Sequence, residues 1–93
     1  MTADTERKLN RWMTEFNDEY LSGNCVEYRW REVNDNLTFS FAYQVTGGSI
    51  LMVTVEGVTT AEIEKIDSSI LFASMLQAKL TNEFLDYFYR KIA

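Results

Sequence analysis

CVEYRWREV (25–33), NDN (34–36), LTFSFAYQV (37–45), TGGS (46–49) and ILMVTVEGV (50–58) form the stretch whose reading decides the fold. In the middle segment Leu37, Phe39, Phe41, Tyr43 and Val45 alternate with Thr38, Ser40, Ala42 and Gln44. That period of two sends one set of side chains to each face of a strand. In the first segment Val26, Tyr28 and Trp30 alternate with Glu27, Arg29 and Arg31, a second strand with one wet face. Asn34 and Asp35 between them tolerate positive φ, so a tight turn pairs Trp30 with Phe39, Tyr28 with Phe41 and Val26 with Tyr43. A slip by one residue would set both arginines among the aromatics, and the cost of desolvating two guanidinium groups enforces the register.

The third segment is apolar at both parities, with Leu51, Val53 and Val55 on one and Ile50 and Met52 on the other. A three-residue or bulged turn at Gly47, Gly48 and Ser49 puts Val53 beside Tyr43 and Val55 beside Phe41. A two-residue turn puts Met52 beside Tyr43 instead. The first leaves Thr54 and Glu56 outward and is the expected one. The outer face then carries Glu27, Arg29 and Arg31 at one edge, small Thr38, Ser40 and Ala42 in the middle, and Ile50 and Met52 at the other. Such a face is either a wet surface with scattered hydrophobes or a contact surface for a partner or a second copy.

Working outward, Leu9, Trp12, Met13, Phe16 and Tyr20 recur at helical spacing over Ala3 to Leu21, with Arg7, Arg11, Thr14, Glu15 and Asp18 on the other side. This amphipathic helix, capped by Thr2 or Thr5 and ended at Ser22-Gly23-Asn24, suits the aromatic face of the sheet. After the sheet, Thr59 and Glu62 fit a capping box. The expected arrangement is a short helix from Thr60 to about Ile66, a break near Asp67, and a longer helical segment from Ser68. An interruption near Thr81, or a helical hairpin at Lys79 to Asn82, stays open. The fold class is α+β, in the order α-β-β-β-α, as a single domain over 1–93. This order is similar to that of small non-enzymatic proteins, including phage-encoded inhibitors and dimeric secretion chaperones of bacterial injection systems. Topology alone does not carry their function.

The last third holds more apolar residues than one helix face can take, Phe72, Met75, Phe84, Tyr87 and Phe88 among them. A helix apolar on most sides is buried on most sides, which makes a homodimer the expected assembly. The candidate partner-binding residues are Arg29, Arg31, Ile50, Met52, Phe72, Met75, Phe84, Tyr87 and Phe88. Both outer strands also leave an edge to which a partner strand can add.

Composition narrows the chemistry. The 93 residues include no His and one Cys, Cys25, so His-based catalysis, Cys-His pairs and His/Cys zinc sites are excluded, as is an internal disulfide. Gly47-Gly48 leads into a strand, not a helix, and is no phosphate loop. A formal charge of −5 argues against direct nucleic-acid binding. No run of about 18 apolar residues spans a membrane, and Met1 to Asn10 lacks the apolar core of a secretory signal, so the expected location is cytoplasmic. The leading expectation is a non-catalytic protein-binding module without cofactor: an adaptor, inhibitor or chaperone-like protein. The alternative is an acidic inhibitor imitating nucleic acid through Asp4, Glu6, Glu15, Asp18, Glu19, Glu62, Glu64 and Asp67. A carboxylate-based enzyme using acids of the same set comes last.

Overall fold

The computed structural model describes residues 1–21, 25–44 and 47–92, except for the side chains of Phe88, Lys91 and Ile92. Its elements run α1 (Ala3–Tyr20), β1 (Cys25–Val33), β2 (Asn36–Gln44), β3 (Ile50–Thr59), α2 (Thr60–Lys65) and α3 (Ser69–Ile92). The strands form one antiparallel sheet in the order β1-β2-β3, the expected α-β-β-β-α order with the last helical part in two pieces. No helix among the described residues is long and apolar enough to cross a membrane.

The first hairpin forms as its sequence implies. Asn34 and Asp35 take φ of 52° and 63°, the pair of positive values that a two-residue type I′ turn requires. Trp30 lies opposite Phe39 and Tyr28 opposite Phe41. The expected pairing of Val26 with Tyr43 does not occur. A bulge between Cys25 and Glu27 gives Tyr43 to Cys25 and turns Val26 out of the ladder, where it is 58% exposed.

The second hairpin keeps the expected faces but not the expected partners. Val53 pairs with Phe41 and Val55 with Phe39, while Tyr43 takes Leu51. Since Gln44 pairs with Ile50, the connection runs over 45–49, two residues longer than the three-residue turn. A shift by two preserves every inward and outward position, so Thr54 and Glu56 are outward as expected. Val45 and Thr46 lie outside the described residues. Near the other end of β3, Gly57 at φ 82° forms a bulge that turns Val58 fully inward opposite Leu37.

All three helices cover one face of the sheet. Thr2 caps α1, its hydroxyl oxygen accepting the Thr5 N–H at 3.2 Å. Leu9, Trp12, Met13 and Phe16 are buried as their spacing dictates, whereas Tyr20 is 45% exposed at the end of the helix. The expected stop at Ser22-Gly23-Asn24 lies outside the described residues. Thr59 and Glu62 form the capping box of α2. The Asp35 carbonyl of the first turn accepts the Thr60 N–H at 2.9 Å, tying that turn to the start of α2. At the other end of α2, the Lys8 ammonium donates to the carbonyls of Ile63 and Ile66, both at 2.9 Å, and lies 4.9 Å from the centre of the Trp12 ring. A cation at the C-terminal carbonyls of a helix is favourable for the helix dipole as well.

α3 is continuous through Thr81, whose hydroxyl donates back to the Gln77 carbonyl, so neither the interruption nor the helical hairpin forms. Its 24 residues extend about 36 Å, in a molecule 40 Å long. The core joins the layers through ring contacts: Phe16 to Phe41 at 6.2 Å, Trp12 to Phe72 at 5.5 Å, Phe72 to Phe39 at 6.0 Å and Phe84 to Tyr43 at 5.1 Å. α1 and α3 thus lie side by side beneath the sheet, with α3 against β3.

Candidate functional site

The opposite face of the sheet has no helix over it among the described residues, and its composition follows from strand parity. Arg29 and Arg31 project there from β1, opposite Ser40 and Thr38 of β2. Together with Trp30, these side chains line a shallow cleft of ≈ 270 Å³ with no carboxylate in its wall. Neither arginine makes an ion pair among the described residues. Across β2, Ala42 is flanked by Glu27 and Met52 and is only 6% exposed despite the missing layer, because its neighbours' longer side chains shield a single methyl group. Met52 and Ile50, each 53% exposed, complete the far side.

The structure divides the nine candidate residues among different places. Arg29, Arg31, Ile50 and Met52 share the uncovered face. Met75, Phe84 and Tyr87 are half-buried on α3, in the other layer, the first two packed against the core. Phe72 is fully buried between Trp12 and Phe39. It belongs to the core and offers nothing to a partner, a correction to its candidate role. The reason is geometric: Ile70, Leu71 and Phe72 are consecutive, each turned by about 100° from the last, and only docking decides which faces inward. Ile70 and Leu71 are the exposed ones, at 72% and 57%. The side chain of Phe88 lies outside the described residues.

Sequence reasoning missed two exposed residues of β1. Val26 is turned outward by the bulge, and Val33, at 55% exposure, continues the outward parity of Arg29 and Arg31 and was legible from it. It also passed over the polar ends of the inward aromatics. The Trp30 indole donates to Asn10 Oδ1 at 2.7 Å and the Tyr28 hydroxyl to Thr14 Oγ1 at 3.3 Å. These bonds hold β1 over α1 and border a second cleft, on the helix side, lined by Glu6, Asn10, Met13, Thr14, Tyr28, Arg29 and Trp30. β1 therefore has a cleft on each side of its outer edge.

The acids weighed for catalysis or nucleic-acid imitation are carried by α1, α2 and the link over 66–68. Among the described residues no group of three or more acidic or Cys side chains is placed to hold a metal ion. Cys25 is half-buried, its thiol donating to the Glu27 carbonyl at 3.1 Å within the bulge. Burial pushes that thiol up from its ordinary range, outweighing an opposing contribution from the backbone of Glu27 and Ala42. Burial likewise drives the Tyr43 hydroxyl up to about 12. That hydroxyl and Asn17 Oδ1 are buried without a hydrogen-bond partner among the described residues. Comparison with known proteins finds no matching family model, no matching curated protein and no matching solved structure.

Proposed function

We propose that the chain is a non-catalytic protein-binding module, an adaptor, inhibitor or chaperone-like protein, that meets a protein partner on the uncovered side of its sheet and works as a homodimer. The observation that carries this reading is one-sidedness. Every helix packs against the Phe39 and Phe41 face, and the other keeps Val33, Ile50 and Met52 more than half exposed around a flat centre of Thr38, Ser40 and Ala42. A sheet face of that kind is suited to contact with another protein. The homodimer is supported by the side of α3 turned from the core, where Leu71, Ser74, Ala78, Leu85 and Tyr89 follow one another without a charge and are all exposed. The reading uses no cofactor, no nucleic acid and no membrane.

Light scattering of the purified chain, followed by partner capture with Met52→Asp and Ile50→Asp, tests both parts. The expected mass is twice that of the chain, and the two variants lose the partner while their circular dichroism is unchanged. A monomer at every concentration removes the homodimer. Capture unaffected by both variants removes the sheet face as the site.

A further inference from the structure

The uncovered face ends at an edge, and the two faces of β1 together describe what that edge can take. In a hairpin closed by a two-residue turn, the flanking pair, here Val33 and Asn36, exchanges both its hydrogen bonds. The alternation that follows directs the N–H and C=O groups of Glu32, Trp30 and Tyr28 away from β2. None of the three finds another backbone partner among the described residues. Between Glu27 and Val33 the ladder is regular, without Pro or bulge, so of the usual devices that blunt an edge only the charges of Glu27, Arg29, Arg31 and Glu32 are present there.

We propose that the open edge of β1 takes an added strand from an acidic protein segment, with Asp or Glu at alternate positions beside Arg29 and Arg31 and an apolar residue between them beside Trp30. This rests on the protein-binding reading and names the chemistry of its partner. Because Tyr28, Trp30 and Glu32 supply the backbone bonds, Arg29 and Arg31 fall in the pairs that are not hydrogen-bonded to the added strand. In those pairs the side chains approach most closely. An acid opposite each arginine points into the cleft that Thr38 and Ser40 line. The residue between points to the helix side, against Trp30 and the cleft bordered by Met13, Asn10 and Thr14.

A second copy of the chain fits this edge less well than an acidic strand. Antiparallel pairing of the regular segment with itself, centred on Trp30, sets Arg29 opposite Arg31 twice, and like charges directly opposite one another are destabilising. Centred on Arg29, the same segment gains two Glu27–Arg31 pairs but keeps Arg29 opposite Arg29, and pairing Arg29 with Glu27 requires a ladder through the bulge between Cys25 and Glu27. The arginines thus oppose self-pairing and favour a foreign acidic strand.

The test is titration of the intact, isotopically labelled chain with a capped heptapeptide of alternating Asp and Val, beside a matched peptide of Lys and Val. The expected result is saturable shifts of the Tyr28, Trp30 and Glu32 amides with the acidic peptide alone. The double variant Arg29→Ser, Arg31→Ser should weaken binding on the order of tenfold with melting unchanged. N-methylation of the peptide amides on one edge of its strand should abolish binding, and on the other edge should not. Equal binding of the lysine peptide, indifference to the arginines or to N-methylation, or shifts confined to other elements overturns the proposal. If β1 fails in this way while partner capture still depends on Met52 and Ile50, the module reading stands and the edge proposal falls. If capture and dimer fail as well, both fall.

Discussion

The two edges of the sheet are built from strands of nearly equal length and are left in opposite conditions. β3 runs beside the last turns of α3, where Leu51, Val53 and Thr54 share a cleft with Glu83, Asp86, Tyr87 and Arg90. It is further bent by the Gly57 bulge and carries Glu56 outward. β1 has α1 beneath its aromatic side chains, no element along its edge among the described residues, and Glu27, Arg29 and Arg31 as its outward charges. One edge is therefore bordered by a helix and broken by a bulge, the other regular and carrying two arginines. An edge is protected by what docks beside it as much as by its own residues, and a chain with one helix too few for both edges leaves one available.

This contrast can be broken most severely at Phe72, which anchors α3 to the sheet. Phe72→Ala should cost about 3–5 kcal/mol in chemical denaturation, and Ile70→Ala, at a side chain 72% exposed, less than about 0.5 kcal/mol. Near-equal losses would mean that α3 does not dock as described.

A smaller effect is expected at Tyr43, which pairs with Leu51 of β3 and packs on Phe84 of α3. Its folded-state pKa of about 12 lies above the ordinary 10.0. The buried hydroxyl resists ionisation, so this group leaves stability unaffected below pH 10 and lowers it as pH rises from 10 through 12. The loss is about 2–3 kcal/mol, with Cys25 acting in the same direction. Tyr43→Phe should flatten this alkaline decline. At neutral pH it should leave stability unchanged or raise it by up to about 1 kcal/mol, since the hydroxyl has no partner to lose. A destabilised phenylalanine variant would show that the hydroxyl is bonded after all.

Gly57→Ala should cost about 1–2 kcal/mol, from the positive φ alone, since a Cβ there meets nothing within 4 Å. A neutral result in thermal melts would show that the bulge relaxes. The smallest effect belongs to the open edge: Arg29→Ser and Arg31→Ser should shift stability by less than about 0.5 kcal/mol, because neither side chain holds another part of the chain. A larger loss would move these residues from recognition to structure.

Much of the fold was legible because its signals are short. The period of two in 25–33 and 37–45, the Asn34-Asp35 turn, the Thr59 and Glu62 capping box and the stripe of α1 each involve residues within a few positions of one another. The outward placement of Arg29 and Arg31 follows from the same alternation. What was misread was of another kind. Alternation puts Val26 inward because a bulge has no mark in the hydrophobic pattern, and Phe72 reads as a partner residue because three consecutive apolar residues do not announce which of them faces the core. The contact of Lys8 with the end of α2, 55 residues away in sequence to the nearer carbonyl, had no sequence signal at all.

The sequence by itself determined which side chains share a face of the sheet, for alternation is a property of the extended backbone and survives any shift by two. Only the tertiary structure decided how far β3 slides along β2, whether α3 runs unbroken past Thr81, and which edge of the sheet is left open. These depend on where a helix docks on a surface built by distant residues, and the burial of Phe72, Leu76 and Phe84 against that surface, rather than any local preference, selects one arrangement among several that the pattern allows.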